Sequence, residues 1–167
     1  MTRPDMYVIS CFDGQPLDLK KIQYLPDDLL EYNKKQPQIM TDAALDDYQL
    51  IIKSDRLDLH VIDAVDKYYD RKKIAEIISK SDPTDFSNDY VIEVCEFGVT
   101  LGHLFNQVDG FGWLYSHPYF HSIIVHKDSG FGITVFDWAV KKFSEYGVDD
   151  GFAAKFKVAL ESVKLSK

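Results

Sequence analysis

Cysteine is nearly missing from this chain of 167 residues, which has only Cys11 and Cys95. Two cysteines build no disulfide framework, and Cys95, set among apolar neighbours, reads as a small buried hydrophobe. Long apolar runs are missing too. None reaches the roughly 18–20 residues that a membrane span needs. The start, Met1-Thr2-Arg3-Pro4, has no apolar h-region, so no signal peptide is expected and a reducing cytoplasm is the expected compartment. Basic charge is short: 19 Lys and Arg stand against 27 Asp and Glu, a net charge of −8. Nucleic acid as the main ligand would need a basic footprint that this chain lacks. There is no G-x-S-x-G, no H-E-x-x-H and no C-x-x-C. Asp109-Gly-Phe-Gly112 and Ser129-Gly-Phe-Gly132 are turn sequences without the Lys-Ser/Thr of a phosphate loop. No cofactor and no metal are expected.

What is present is a sizeable core. Hydrophobic residues make up 46% of the chain and aromatic residues 14%, which excludes disorder and suits a single domain over residues 1–167. The acidity is uneven. Residues 1–56 carry 7 basic and 10 acidic side chains, residues 57–110 carry 5 and 11, and residues 111–167 carry 7 and 6. The acidic surplus therefore falls in the first two thirds, either as an ordinary solvated surface or as a face for a basic protein partner.

The most informative stretch is Asp89 to Gln107. Val91, Val94, Cys95, Leu101 and Phe105 cover one broad side of a helix, with Ile92, Phe97 and Leu104 flanking them. A helix apolar over so much of its circumference belongs inside the fold. Its polar residues, Glu93, Glu96, Thr100, His103 and Gln107, recur at steps of three and four and form one line. Gly98 and Gly102 lie about 140° and 180° around the helix from Glu93. Glycine in a helix costs about 1 kcal/mol relative to alanine, so the close approach of a backbone or a large ring is expected there.

Other elements follow from spacing and punctuation. Met6–Phe12 reads as a strand ended by Asp13-Gly14. Two short helical turns fit residues 16–35 around Pro26, and Gln36-Pro37-Gln38 reads as a loop. Thr41-Asp42 is expected to cap a helix over residues 43–53 with Leu45, Tyr48 and Ile52 inward. Residues 57–79 have helical spacing interrupted at Asp70–Lys73, and Asp82-Pro83 restarts a helix. Residues 111–117, 119–126 and 131–135 read as strands, with Asp128-Ser-Gly130 as a hairpin turn. Thr134-x-x-Asp137 has capping-box spacing before a helix whose stripe is Phe136, Ala139, Val140 and Phe143, ended by Gly147. Asp149 opens a last helix with Phe152, Phe156, Ala159, Leu160 and Val163 inward. The expected fold is α+β: a mainly helical front half around a buried central helix at 89–107, a small antiparallel sheet within 111–135, and two closing helices.

Gly98-x-x-x-Gly102, then Trp113, two short strands, and Phe136-Asp-Trp138-x-x-Lys141-Lys142 before a short final helix form a recognisable order. It resembles a group of uncharacterised small bacterial domains with a glycine-bearing helix, a tryptophan-bearing strand and a tryptophan-bearing helix. The likeness covers about residues 90–160. It implies a bacterial origin and no particular activity.

Three constellations are candidates for function. Glu96 and His103, two turns apart with Thr100 between, suit a general acid–base pair, because a carboxylate can orient an imidazole. Glu93 beside Glu96 would raise one carboxyl pKa. The competing reading makes the polar line the wet edge of a buried helix. His117, His121 and His126 lie together, but a regular strand sends His126 to the opposite face from the other two, so ordinary strand histidines are expected. Trp138 projects away from its own helix stripe among Lys141, Lys142 and Glu145, either as a contact anchor or packed against another element. With no catalytic motif, the sequence points to a non-enzymatic protein-binding module, such as an immunity or antitoxin-like inhibitor of a basic protein. Trp138, Glu93, Thr100 and Gln107 are its candidate contacts. The alternative is a small hydrolase using Glu96 and His103.

Overall fold

A computed structural model describes residues 27–80, 89–115, 122–143 and 152–165. The expected strand at Met6–Phe12, Cys11, the turns before Pro26, Asp82-Pro83, His117, His121, Gly147 and Asp149 lie outside the described residues. Six helices and three strands are described: α1 (Asp27–Ile52), α2 (Leu59–Tyr68), α3 (Arg71–Lys80), α4 (Asp89–Asn106), β1 (Phe111–Leu114), β2 (Ile123–His126), β3 (Gly132–Ile133), α5 (Val135–Lys142) and α6 (Phe152–Leu165). The fold is α+β, mainly helical, with a small antiparallel sheet in the order β1-β2-β3.

The central helix forms where its apolar pattern places it. In α4 every residue from Val94 to Gly102 is buried, and so are Leu104 and Phe105. Helices α1 and α5 pack along it, and β1 and β2 touch its C-terminal part. Phe97 meets Phe143 and Phe152 edge-on, with ring centroids 6.1 and 5.1 Å away. Phe105 lies 4.4 Å from Phe156 and 5.6 Å from Phe111. The aromatic core thus joins α4 to both closing helices and to β1. Burying each such ring contributes about 1.5–3 kcal/mol relative to leaving it in water.

The glycines of α4 admit rings, as expected. A Cβ on Gly98 would overlap the Phe136 ring, and one on Gly102 would overlap the far edge of the Trp113 indole. The turn at Asp128–Gly130 forms as expected, but the returning strand is only Gly132–Ile133 rather than 131–135, because Val135 already opens α5. Strand β1 pairs antiparallel with β2, Phe111 opposite His126 and Leu114 opposite Ile123, and β2 pairs with β3. Gly130 supplies the positive φ of 75° that the turn requires.

The front of the fold differs from expectation. Helix α1 is continuous over 26 residues, through Gln36-Pro37-Gln38, which reads as a loop in the sequence. Pro37 removes one helix hydrogen bond, yet its ring is buried, and tertiary packing outweighs the break. Thr41 and Asp42 therefore lie inside the helix rather than at its cap. The Thr41 hydroxyl donates to the Pro37 carbonyl at 2.5 Å, and Asp42 accepts from the Gln38 amide at 3.0 Å. The helix stops at Lys53, which adopts a left-handed φ of 60°.

Residues 57–79 divide into α2 and α3, as their spacing suggests. Asp58 caps α2 by accepting from the Val61 N–H at 3.1 Å, and the Asp70 side chain accepts from the Lys73 N–H at 2.9 Å where α3 begins. Thr134 is the N-cap of α5 but makes no side-chain capping bond. The inward face of α5 is Val135, Phe136, Ala139 and Lys142, continued by Phe143, whereas Val140 is exposed. Among the described residues no helix is long and apolar enough to cross a membrane.

Candidate functional site

The polar line of α4 is the site with most chemistry, and it is not a wet edge at its centre. Glu96 is 1% exposed and Thr100 is fully buried. The reason is α1, whose Ala44 and Tyr48 are themselves fully buried. Helical spacing gives the face of α4 but not what covers it, and the cover here lies about fifty residues earlier in the chain.

Four more side chains complete the site. Asp47 on α1 acts on the Glu96 carboxyl from across the seam. The Tyr69 hydroxyl, at the end of α2, donates to Glu93 Oε2 at 2.6 Å. The Thr100 hydroxyl turns to its own backbone and donates to the Glu96 carbonyl at 2.7 Å. The Tyr48 hydroxyl faces Thr100 but meets no atom in good hydrogen-bond geometry, and Glu96 Oε2 likewise has no partner among the described residues. Three acidic side chains and two tyrosines thus meet in the seam between α1 and α4.

The electrostatics follow from burial. Glu96 is pushed up to about 10, first by burial, then by the hydrogen bond with Asp47, then by the charges of Glu93 and Asp47. Burial disfavours the carboxylate, so Glu96 is protonated at neutral pH. Burial also raises Glu93, while the bond from Tyr69 opposes the rise. Tyr48 and Tyr69 both titrate well above the usual range of a phenol: burial is the largest cause, followed by the charge of Glu96 for Tyr48 and the bond to Glu93 for Tyr69. The site is therefore an acidic, oxygen-rich seam in which Glu96 is held neutral.

The far end of the polar line is separate. His103 is half-buried and its Nε2 lies 2.9 Å from Gln107 Nε2, so the amide donates to the ring. Burial lowers the pKa of His103. Seven residues of helix place His103 about 10 Å along the axis from Glu96. Among the groups acting on Glu96 are Asp47 and Glu93, and His103 is not one of them.

The remaining candidates are distributed. Trp138 is half-buried, with its ring 6.0 Å from Phe105 and 6.4 Å from Phe152, and the Lys155 ammonium 5.8 Å above it. This is the packed arrangement: α5 is covered on the side away from its own stripe. His126 is buried, with Nδ1 2.8 Å from Ser129 Oγ and 3.3 Å from the Ser129 N–H, which makes it part of the hairpin turn. Among the described residues no group of His, Cys, Asp and Glu could hold a metal ion.

One buried charge escapes sequence reasoning. Lys142 is fully buried; its Nζ lies 2.6 Å from Asp66 Oδ1 and donates to the carbonyls of Asp66 at 2.8 Å and Tyr69 at 2.9 Å. It closes the C-terminal end of α2, where helix carbonyls lack partners and carry partial negative charge. The available signal is its position seven residues after Val135, on the inward face of α5. This use of Asp66, with the uses of Glu93 and Glu96, also turns part of the acidic surplus of residues 57–110 inward.

No protein-family model, no curated protein and no solved structure matches this chain.

Proposed function

We propose that this chain is a non-enzymatic protein-binding module of the bacterial cytoplasm, an immunity or antitoxin-like inhibitor, and that it meets its partner through the outward side of α1. The observation that carries this reading is the exposure of Tyr32 (55%), Ile39 (58%) and Leu50 (74%) along that helix. At 3.6 residues per turn, positions 32, 39 and 50 fall on one side, opposite the buried Tyr48. Single exposed apolar residues need no explanation, but a line of them on one helix is a typical protein-contact face. Exposed Asp28 and Asp46 flank the line. A basic protein is the partner this charge suits, and no nucleic acid or membrane is proposed.

Glu93 and Thr100, candidate contacts in the sequence, face the seam instead. Gln107 remains exposed at the end of α4, and Trp138 offers only part of its ring. The alternative of a small hydrolase draws support from Glu96, whose neutral carboxyl could act as an acid. Its cover by α1 counts against it, because a general acid must reach its substrate.

The test compares the wild type with Ile39→Glu and Leu50→Glu in affinity capture from the native cells. Circular dichroism should show unchanged folding in both variants, since both sites are exposed. A protein retained by the wild type in low salt, and lost by the variants and at 500 mM salt, is the expected result. Equal retention by all three proteins would remove α1 as the contact face.

A further inference from the structure

The outward side of α1 is not simply acidic. Beside the exposed line of Tyr32, Ile39 and Leu50 stand Asp28, Lys35 and Asp46, all exposed. Helical geometry puts these three charges on the same flank, about 30–50° round from the apolar line. Exposed Lys53 follows directly after the last turn. None of the four charged side chains forms an ion pair within the described residues. Lys34 and Asp42, farther round, are engaged locally: Lys34 pairs with Glu31, and Asp42 accepts from Gln38. The flank therefore reads acid, base, acid, base along α1, and its spacing is symmetric. Lys35 and Asp46 lie about 8 Å to either side of the level between Met40 and Thr41, and Asp28 and Lys53 about 19 Å. A row that reads acid-base-acid-base in one direction reads base-acid-base-acid in the other. Its charge complement is the same helix run backwards.

We infer that the outward side of α1 docks a second copy of this chain, antiparallel, in a closed two-fold dimer. Such an interface is isologous: the same patch serves both copies, and each contact occurs twice. With the two-fold axis at the level between Met40 and Thr41, Lys35 of each copy meets Asp46 of the other, and Asp28 meets Lys53. All these pairs fall along one rim, because a two-fold axis perpendicular to both helices keeps a flank on its own side. Ile39, close to the axis, meets its own counterpart, and Tyr32 comes within about one residue of the level of Leu50. The apolar line supplies the attraction, and the charges at its edge fix direction and register. A parallel pair would set Lys35 against Lys35 and Asp46 against Asp46, which like charge opposes. The dimer does not rest on the binding reading given above. It occupies the same helix face, so a basic protein would have to displace the second copy to reach it.

Sedimentation equilibrium of the purified full chain tests the dimer. The mass should rise from that of one chain to that of two as concentration increases through the micromolar range. Lys35→Glu places a carboxylate against Asp46 of the other copy, and Asp46→Lys places an ammonium against Lys35. Each should leave a monomer. The double variant K35E/D46K exchanges the two charges and should dimerise again, a rescue that only the antiparallel pairing gives. Ile39→Glu should also be monomeric. All these sites are exposed, so circular dichroism should show the wild-type fold throughout. A wild-type chain that stays monomeric at every concentration would overturn the inference. So would a dimer that K35E or I39E leaves intact, or a double variant that remains monomeric. Purified chain alone is measured, so failure here leaves the capture of a basic protein by α1 to be decided separately.

Discussion

Gly102 lies against the indole of Trp113 so closely that a methyl group on its Cα would overlap Cζ2 and Cη2 of the ring. Trp113 is in turn 6.1 Å from Phe136, the ring that covers Gly98 one turn earlier. The two glycines thus receive two neighbouring aromatic rings, one from β1 and one from α5.

Alanine in place of helical glycine ordinarily stabilises by about 1 kcal/mol. Gly102→Ala should instead destabilise by about 1–3 kcal/mol, because the Trp113 ring must move and give up contacts. In a Trp113→Ala background the same change should become neutral or stabilising. Urea unfolding of the four proteins in this cycle measures the coupling. Additive effects would mean that the ring does not constrain Gly102.

Lys142→Met should cost about 3–5 kcal/mol, since it leaves the Asp66 carboxylate without its cation in the interior. Adding Asp66→Asn should recover part of the loss. Arginine should not substitute well, because its planar fork does not match three acceptors gathered around one ammonium. Thermal unfolding of the single and double variants gives the comparison. A K142M protein as stable as the wild type would refute the arrangement.

Tyr69→Phe removes the hydroxyl that donates to Glu93 and should destabilise by about 1.5–3 kcal/mol if Glu93 is ionised in the folded state. The same bond holds the Glu93 carboxyl down against the upward push of burial. Glu93 should therefore titrate higher in Y69F than in the wild type, as read from its carboxyl carbon by NMR. An unchanged titration would show that the hydroxyl is not bound to the carboxylate.

His103→Ala separates the two functional readings. Its ring is half-buried and bonded to a neighbour on the same helix, so its loss should cost less than about 1 kcal/mol. Its folded pKa lies below 6.5 because burial disfavours the imidazolium. The unfolded state thus binds the extra proton first, and stability falls as pH drops through about 6.5 towards the lower folded value. H103A should lose that part of the acid sensitivity. Glu96 has the opposite sign, with stability falling as pH rises towards about 10. Hydrolytic activity abolished in a fully folded H103A would favour the enzyme, whereas partner binding preserved in it fits the binding module.

The sequence discloses elements whose signals are local. Helix α4 is legible because an apolar pattern runs unbroken through residues 91–105, and the hairpin because Asp128-Ser-Gly130 separates two β-branched or aromatic runs. Even the rings over Gly98 and Gly102 are foreseeable in kind, since a helical glycine invites close approach. Helix α1 is not legible as one piece. Pro37 carries a local penalty that reads as a break, and the packing that outweighs it comes from elsewhere in the chain. The candidate site fails for the same reason. Spacing aligns Glu93, Glu96 and Thr100, but it cannot say that Asp47 and Tyr48 close over them. Nor can it place Lys142 beside carbonyls at residues 66 and 69.

The lysine has a consequence for the order in which the fold is made and lost. Its bond to the Asp66 carbonyl joins residues 76 positions apart. Closing so long a loop costs chain entropy before any contact repays it. The ammonium keeps its hydration until α2 and α5 have both reached the central helix, because only then do its three acceptors converge. The contact is therefore expected to form late in assembly, after the barrier that refolding must cross. Its effect lies on the lifetime of the native state: without Lys142 the protein should refold at nearly the same rate and come apart much sooner.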